Sequence, residues 1–359
     1  MYNKHIITLV LSILFFASCQ KESVYESFAD AIEFTAGVSD INGVETRTTL
    51  VAGTSLPNAS SFGVLGYFVP YVVGSTTLNY PGASGSWENK KHNCHPDIFY
   101  KTNVTYNNGA CTYANPEGWV TTSSNDSNPA DYTYTFFAYY PFDVWSVDTA
   151  ESAKGAPKFS YTFPFTSTNT STLLNDNQIQ DVMVASVTNH VRANGAVPLN
   201  FTHLLTGLNI KLVNYDNKNQ IQVTSVTLSG TFHKKMTVDF DSGAIAYSDT
   251  YKGKYTLNEG RTRVEPGASV FLNNGKTVLL ISNSGLGSDV VLTVGYSIAG
   301  ESKVWTSSNS LYSSKFKPTA GTNYTLTLNF VEDMVTLSIE SEQQWENGDD
   351  DIGNNSTIK

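Results

Sequence analysis

The stretch GTNYTLTLNFVEDMVTLSIE, residues 321–340, carries the alternation of apolar and polar side chains that marks a β-strand, and carries it twice. The apolar positions of the two halves are Tyr324, Leu326, Leu328 and Phe330, then Val335, Leu337 and Ile339. Because successive side chains of a strand point to opposite faces, the first set is predicted to face a packed core. This first strand is predicted to close a domain, which leaves the second strand with no evident partner in its own chain.

The residues after the second strand form an acidic tail. Residues 331–359 contain eight acidic side chains and one basic side chain, a composition that is predicted to stay in water and to lack order before assembly. We therefore expect Val335, Leu337 and Ile339 to enter a groove of another chain, with Trp345 holding the far end of the strand. On this hypothesis, a charged residue in place of Leu337 would leave the folded monomer intact.

Strand patterns recur along the rest of the chain, and no segment shows a long helical period. Further predicted strands cover residues 32–35, 62–73, 132–142, 180–189, 197–214, 221–228, 237–240, 277–282 and 289–298. Rings on both faces of residues 132–140 predict a strand between two packed layers. A slip of the apolar phase near Ser225 predicts a bulge, and Asp241-Ser242-Gly243 predicts a turn. Many short alternating strands joined by turns are typical of β-sandwiches.

The N-terminus predicts export. Lys4 and His5 precede a mainly apolar run from Ile6 to Ala17, which is too short as a helix to cross a bilayer core of about 30 Å. Residues 1–18 are therefore predicted to be a signal peptide. Small residues directly before Cys19 resemble a bacterial lipobox, so Cys19 is predicted to carry the lipid that anchors the chain to a membrane. The alternative is an ordinary secretory signal with an unmodified cysteine.

The charge balance argues against one class of partner. The chain has 22 basic and 32 acidic residues, a formal net charge of −10. Nucleic-acid binding draws on basic patches that displace counterions from phosphates, and no such patch is evident. We therefore expect no nucleic-acid partner. The length of 359 residues exceeds what one hydrophobic core usually serves, so two domains are expected.

Two cysteines follow Cys19 in the sequence. A disulfide between Cys94 and Cys111 is the preferred prediction, because exported proteins fold in an oxidising environment. Such a disulfide would contribute about 3 kcal/mol to stability. The alternative is a metal site at His92, Cys94, His95 and Asp97. Zinc sites usually pair two ligand clusters at short spacings, and the sequence offers one. No metal or other cofactor is therefore predicted.

The sequence offers little catalytic chemistry. It contains no nucleophile elbow, zinc-protease helix, phosphate loop or dinucleotide-binding glycine pattern, so no catalytic residue is predicted. His203 lies beside apolar residues and is read as a hydrogen-bonded core histidine rather than a base or ligand. Trp87, Trp119 and Trp145 could stack on sugars, but aromatic rings more often fill the ends and edges of sandwiches.

Four motifs together resemble a known family. They are FFAYYPF at residues 136–142, QDVMVAS at 180–186, VPLNFTHLLTGLNIKL at 197–212 and GTNYTLTLNF at 321–330. With the lipobox, the strand around Ile32 and Phe34, and the loop at Thr46 and Arg47, they resemble the fimbrillin family of bacteroidetes, the lipoprotein-derived subunits of type V pili. The resemblance spans nearly the whole chain, although residues 74–130 carry none of its motifs.

The resemblance implies an all-β fold of two transthyretin-like β-sandwich domains in tandem. Placed on this sequence, it implies a segment at 19–47 with a removable first strand, an N-terminal domain at 48–190 and a C-terminal domain at 191–331. Residues 332–359 would be a donor-type strand and tail. A loop at 188–196 is the expected linker.

The resemblance also implies a route of maturation. An arginine-directed protease would cut after Arg47, leaving Thr48 as the new N-terminus, and the lost segment would take Cys19 and the first strand with it. A strand left without its neighbour exposes unpaired backbone groups, which an incoming strand can satisfy. Contacts of this head-to-tail kind propagate as a filament. The donor would present Val335, Leu337 and Ile339.

The function expected from these features is that of a cell-surface pilus subunit serving adhesion, not an enzyme. Its partners would be identical or related subunits, outer-membrane lipid through Cys19 before maturation, and a surface receptor. The rival hypothesis is a monomeric, lipid-anchored protein that binds glycans through Trp87 or Trp119, with its last strand paired inside its own domain. A glycan hydrolase is a third alternative.

Overall fold

The structure is a computed structural model. It describes residues 31–39, 51, 54–69, 86–96, 98–119, 133–148, 155–164, 172–173, 179–258, 260–275, 277–280, 287–307, 311, 316–332, 334–344 and 356–358.

The described chain is built almost wholly of β-strands. The strands of its first half are β1 (Phe34–Val38), β2 (Ser60–Phe68), β3 (Phe99–Asn107), β4 (Ala110–Tyr113), β5 (Thr133–Tyr140), β6 (Trp145–Asp148), β7 (Lys158–Thr162), β8 (Thr172–Leu173), β9 (Met183–Val191) and β10 (Val197–His203). Those of its second half are β11 (Thr206–Asn214), β12 (Ile221–Asp239), β13 (Ile245–Thr256), β14 (Thr262–Val264), β15 (Ser269–Phe271), β16 (Val278–Leu280), β17 (Val291–Ile298), β18 (Glu301–Thr306), β19 (Thr322–Val331), β20 (Met334–Gln344) and β21 (Ser356–Ile358). The described helical elements are one α-helical turn, α1 (Trp87–Lys90), and four short 3₁₀ turns. The predicted all-β class is confirmed.

Within the described residues, the strands form three sheets of seven, six and eight strands. The first sheet has the order β1-β10-β9-β5-β2-β3-β4. The second has the order β15-β11-β19-β20-β21, with β16 also beside β11. The third has the order β18-β17-β12-β13-β8, with β14 and β7 also beside β12, and β6 beside β7. The long strand β12 is therefore the common neighbour in the third sheet.

Apolar side chains pack into two clusters, and β5 contributes to both. Phe136 and Ala138 lie in the smaller cluster, whereas Phe137 and Tyr139 lie in the larger one. Alternate residues of a strand point to opposite faces, so β5 is buried on both of its faces. The predicted position of this aromatic strand between two packed layers is confirmed. The smaller cluster also holds Ile32, and it fills the space between β1 and the body of the first sheet.

The larger cluster draws side chains from all three sheets. It contains the inward residues of β19 and β17 that the alternation predicted, among them Leu326, Leu328, Leu292 and Val294. The pairing of β12 with β17 shifts register between Val223 and Ser225, so the predicted bulge is confirmed. The turn predicted after Phe240 is also confirmed, because the backbone there closes the hairpin from β12 to β13.

The expected linker at 188–196 is corrected by the structure. Residues up to Val191 belong to β9, and β10 begins at Val197, so this segment connects two neighbouring strands of the first sheet. The Asn, Gly and Arg residues that suggested a linker instead build a short 3₁₀ turn at Arg192–Asn194. The chain passes from the first sheet to the second at Leu204 and Leu205, between β10 and β11. The tandem transthyretin-like arrangement remains a prediction.

The strand that seemed to lack a partner in its own chain has one. β20 pairs with β19 in an antiparallel ladder that runs from Val331 and Met334 to Thr322 and Gln344. β19 ends at Val331 and β20 begins at Met334, and Glu332 between them has a positive φ of 50°. A two-residue hairpin loop usually announces itself by Asn-Gly or Asp-Gly. Glu-Asp is not such a signal, which explains why the sequence did not indicate the hairpin.

Candidate strand-exchange site

The first strand, β1, is attached to the edge of the first sheet. It runs parallel to β10, with Phe34 opposite Val197 and Val38 opposite Phe201. The Val197 N–H donates to the Glu33 carbonyl at 2.8 Å, and the Ser39 N–H donates to the Phe201 carbonyl at 3.0 Å. Odd-numbered residues of this segment therefore bond to β10.

Ile32 and Val38, near the two ends of the same segment, bond on the opposite side. The Ile32 N–H donates to the Glu117 carbonyl at 2.7 Å, and the Tyr113 hydroxyl donates to the Ile32 carbonyl at 2.6 Å. At the other end, the Val38 N–H donates to the Thr54 carbonyl at 3.0 Å. β1 thus lies in a slot with β10 as one wall and residues 113–118 and Thr54 as the other. We call this space the β1 slot.

Apolar side chains anchor β1 in the slot. Ile32, Phe34 and Val38 are each at most 6% exposed. The Phe34 ring meets the rings of Phe99 at 5.3 Å and Phe136 at 5.7 Å, both edge to face. Burying three such side chains contributes about 1.5–3 kcal/mol each. The strand is therefore held by packing as well as by backbone bonds along its two sides.

The chain leaves the slot and returns to it close by. Ser39 is bonded to β10, and the next described residue, Val51, donates its N–H to the Asp181 carboxylate at 3.0 Å. Both ends of the intervening segment are thus fixed to the first sheet. Arg47 and Thr48, the predicted cleavage site, lie in that segment and outside the described residues. The predicted lipidation site Cys19, which precedes β1, also lies outside the described residues.

The predicted donor strand is buried in its own chain. Val335, Leu337 and Ile339 are 6%, 0% and 5% exposed, and all three belong to the larger apolar cluster. The expectation that a charged residue at Leu337 would spare the folded monomer is therefore wrong, because an ionised side chain there would have no water and no partner. Trp345 lies outside the described residues.

Burial also shapes the ionisation of tyrosines near the slot. It raises the pKa of the Tyr113 hydroxyl, which donates to Ile32, above its ordinary value. It raises the pKa of Tyr139 and Tyr140, on β5, to about 12. Their phenols accordingly remain protonated hydrogen-bond donors at neutral pH.

Comparison with known sequences now decides the family. The sequence pattern described as fimbrillin-like matches residues 85–345, which is most of the chain. The chain belongs to the fimbrillin-like family. The resemblance read from the four motifs is thereby confirmed. The family is one of fimbrial structural proteins rather than of enzymes, so membership supports a role as a fimbrial subunit at the cell surface.

The fold resembles that of a solved fimbrial protein. A fimbrial protein from Bacteroides vulgatus has a TM-score of 0.58 at 19% identity, covering 87% of this chain and 99% of that one. A candidate cell adhesion protein from Bacteroides uniformis has a TM-score of 0.46 at 15% identity, with 88% and 99% covered. The fimbrial anchor protein Mfa2 from Porphyromonas gingivalis has a TM-score of 0.33 at 12% identity, with 86% and 97% covered. No curated protein sequence matches the chain.

The predicted disulfide of this fimbrillin-like chain is corrected. Among the described residues, no disulfide joins Cys94 and Cys111. The reason is geometric, because Cys94 lies in the larger apolar cluster, whereas Cys111 packs against the smaller one. Burial raises the pKa of the Cys111 thiol to about 11. Nor do the described residues contain a group of three metal-binding side chains, so the alternative of a metal at His92 and His95 gains no support.

The tryptophans proposed as sugar platforms face inward. Trp87 and Trp119 are 2% and 4% exposed, and Trp145 is 9% exposed. The Trp87 ring packs edge to face on Tyr67 at 5.3 Å, and the Trp119 ring packs on Tyr134 at 4.9 Å. These rings fill the two apolar clusters, as the less specific interpretation predicted. They offer no flat, exposed face on which a sugar could stack.

His203 is a hydrogen-bonded core histidine, as predicted. Its Nδ1 lies 2.8 Å and 2.9 Å from the two carboxylate oxygens of Asp181, and both side chains are almost completely buried. Neither this pairing nor the Tyr113 bond to Ile32 could be read from local patterns, because the partners are 22 and 81 residues apart. In the part of the chain that the structure describes, no helix has the length and apolar character needed to cross a membrane.

Proposed function

We propose that this chain is a pilus subunit that assembles by strand exchange and serves adhesion. Cleavage after Arg47 would release residues 19–47, which carry β1 and the lipid on Cys19. The empty β1 slot of one subunit would then accept β20 of the next. The observation that carries this proposal is the two-sided slot itself, in which β1 is bonded to β10 on one side and to Glu117, Tyr113 and Thr54 on the other.

The two strands match in spacing. The buried residues Phe34 and Val38 of β1, and Ile32 two residues before the strand, fall on alternate positions, with the half-buried Ala36 between. The buried residues of β20 are Val335, Leu337 and Ile339, again at every second position. A strand with this period can present its apolar side chains to the slot while its backbone pairs with β10. A second copy of the chain therefore has a segment of suitable pattern.

Energetics makes cleavage the natural trigger. Three buried apolar side chains contribute on the order of 5–9 kcal/mol to holding β20 in its own sandwich, and a similar amount to holding β1 in its slot. In the uncut chain, releasing β20 is an uncompensated loss because the slot is full. After β1 is removed, insertion of β20 into a neighbouring slot offsets that loss. Exchange is then near balance in apolar burial, and β20 replaces its backbone ladder with β19 by one with β10 and the opposite wall of the slot.

Before maturation, the subunit would be held at the outer membrane by the acylated Cys19. The expectation that the whole acidic tail stays in water is wrong at its end, because β21 pairs with Leu337–Ile339 of β20. β21 would therefore have to leave β20 or move with it during exchange. Adhesion would be a property of the assembled fimbria and its receptor rather than of a catalytic site. The rival proposal, a monomeric glycan-binding lipoprotein, agrees with the pairing of β20 inside its own chain. Its proposed binding residues Trp87 and Trp119 are buried, however, so these two rings cannot provide its binding surface.

The N-terminal residue of the protein recovered from the cell surface tests maturation. Thr48 in a detergent-resistant oligomer would support the proposal, and the variant Arg47→Ala should then keep its lipid and remain monomeric. An intact N-terminus at an acylated Cys19 in surface fimbriae would contradict it. Mass spectrometry of the purified fimbriae distinguishes the two results.

A further inference from the structure

A buried, hydrogen-bonded pair, Asp181 and His203, lies where the chain returns to the sheet after the predicted cleavage site. Asp181 precedes β9 and His203 ends β10. The two residues are 1% and 3% exposed. The Asp181 Oδ2 atom lies 2.8 Å from His203 Nδ1 and also accepts the N–H of Val51 at 3.0 Å. The pair therefore connects two strands of the sheet to the first described residue beyond Arg47.

Val51 leads directly to a wall of the β1 slot. Three residues further on, the Thr54 carbonyl accepts the Val38 N–H at 3.0 Å, and two residues after that Leu56 is buried in the smaller cluster. Val51 itself is 3% exposed and lies in the same cluster. The segment from Val51 to Leu56 is thus fastened at one end by a charged acceptor and at the other by an apolar side chain, with the slot wall between them.

We propose that Asp181 and His203 are positioning residues that anchor the N-terminal segment of the mature subunit. The inference rests on the proposed strand exchange and adds a defined role for residues distant from the cut. After cleavage, the bond of Thr54 to β1 is lost, and the new end at Thr48 is no longer continuous with β1. The carboxylate still holds Val51, so the Thr54 carbonyl keeps its place for the N–H of an incoming strand.

The geometry explains why a carboxylate paired to histidine suits this role. One oxygen must accept from both an imidazole and a backbone N–H, and a carboxylate has lone pairs for both. The imidazole fixes the orientation of the carboxylate from β10, the strand that forms the opposite wall of the slot. Hydrogen bonds to a charged acceptor are stronger than those between neutral groups. The one buried pair therefore connects both walls of the slot, through Val51 on one side and β10 on the other.

The test uses the full chain, purified in detergent and cut at Arg47, with three variants. Asp181→Ala removes the acceptor, and Asp181→Asn keeps an oxygen that can accept from Val51. Val51→Pro removes the donor while leaving the Asp181–His203 hydrogen bond intact. Thr277→Ala is the matched control, because it removes another buried hydrogen bond, that from Thr277 to Asn209 at 2.7 Å, in the second sheet. Hydrogen exchange reports on residues 51–56, and a labelled peptide with the sequence of residues 334–344 reports on the slot.

The anchor predicts a specific pattern. Asp181→Ala should speed amide exchange in residues 51–56 about tenfold or more and weaken peptide binding by a similar factor, as loss of a bond to a charged acceptor implies. Val51→Pro should weaken peptide binding equally. Asp181→Asn should restore most of both, and Thr277→Ala should change neither.

Two results would overturn the anchor. One is unchanged exchange and peptide binding in Asp181→Ala or, should that variant fail to fold, in Val51→Pro. The other is an equal effect of Asp181→Asn and Asp181→Ala, which would mean that the pair acts only as core packing. If the wild-type cut chain does not bind the peptide at all, strand exchange fails, and the exchange rates of residues 51–56 alone decide the anchor.

Discussion

The strands near the two ends of the described chain differ in how they are held. β1 has 5 residues, runs parallel to β10 and lies in a slot at the edge of the first sheet. β20 has 11 residues, runs antiparallel to β19 and is continuous with it through a tight loop. Both bury apolar side chains at every second position. The difference is one of connection, since a single cut separates β1 from the chain, whereas β20 remains joined to its hairpin.

This difference suggests which strand is replaced and which one moves. A strand that is fastened by packing and joined only at one end can be lost without unfolding the sheet that it leaves. A hairpin strand can exchange its partner while its covalent connection is kept, which is what a head-to-tail polymer needs. The comparison can be sharpened by disturbing each strand separately, in the intact and in the cut chain.

The largest effect is expected at Leu337. Replacing this fully buried residue by aspartate should lower the free energy of unfolding of the uncut chain by about 4 kcal/mol or more, because it places a charge in an apolar cluster. Urea denaturation of the purified chain measures the change. The control is Thr336→Asp on the half-exposed face of the same strand, which should cost far less. Equal effects of the two variants would place β20 outside the core.

Phe34 should show an effect that depends on cleavage. Phe34→Ala removes a ring that packs on Phe99 and Phe136, so it should destabilise the uncut chain by about 3–5 kcal/mol. Protein that has been cut at Arg47 and has lost its fragment no longer contains residue 34, so the variant and the wild type should then have the same stability. Thr35→Ala, on the exposed face of β1, should change stability by less than about 0.5 kcal/mol.

If Phe34→Ala lowers the free energy of unfolding no more than Thr35→Ala does, the packing of β1 in the slot is contradicted. Thermal or urea unfolding of the uncut variants decides this point.

Tyr113 should have a smaller effect. Tyr113→Phe removes the hydroxyl that donates to the Ile32 carbonyl and should destabilise the uncut chain by about 1 kcal/mol. The same variant should speed release of the cut fragment, which size-exclusion chromatography can follow. Tyr106→Phe on the neighbouring strand β3 is a control of like chemistry. Faster fragment release from the control than from Tyr113→Phe would contradict a role of the Tyr113 hydroxyl in holding β1.

The pH dependence of fragment release is the mildest prediction. Burial raises the pKa of Tyr113 above its usual value near 10, so the neutral phenol is favoured while β1 is bound. The contribution of Tyr113 is thus fully present below about pH 10 and is lost as the pH rises above that value. Release of the cut fragment should therefore quicken above about pH 10, and less so in Tyr113→Phe. Identical pH profiles for the two chains would contradict this assignment.

The sequence predicted faces of strands better than their partners. Alternation placed Leu326 and Leu328 in the core, and the double-sided ring pattern placed β5 between two layers, because both are local properties of the chain. The bulge near Ser225 was also local. The fimbrillin-like motifs carried the family assignment, which no periodicity could have supplied.

The candidate site was only partly accessible to such reasoning. The first strand was recognised, but its slot depends on Tyr113 and Glu117, which are about eighty residues away in the chain. The pairing of β20 with β19 was missed because Glu332 and Asp333 lack the usual hairpin residues. Asp181 and His203 likewise meet only through the fold, and the separation of Cys94 from Cys111 follows from the side of the sheet on which each packs.

The central claim is that β20 of one subunit replaces β1 in the slot of another, and an engineered disulfide tests it most directly. Asn200 on β10 lies opposite Gly37 of β1, and Ser338 and Thr336 lie on the outward face of β20. Neighbouring strands are about 4.7–4.9 Å apart, within the reach of a disulfide. The variants pair Asn200→Cys with Ser338→Cys or with Thr336→Cys, each combined with Cys111→Ser.

β10 and β20 belong to different sheets of one chain, so a bond between these positions reports on two subunits. Oxidation after cleavage at Arg47 is predicted to give a covalent ladder of subunits on a denaturing gel, with none from the uncut chain. Folded, cut protein that yields only monomers with both cysteine pairs would contradict the account.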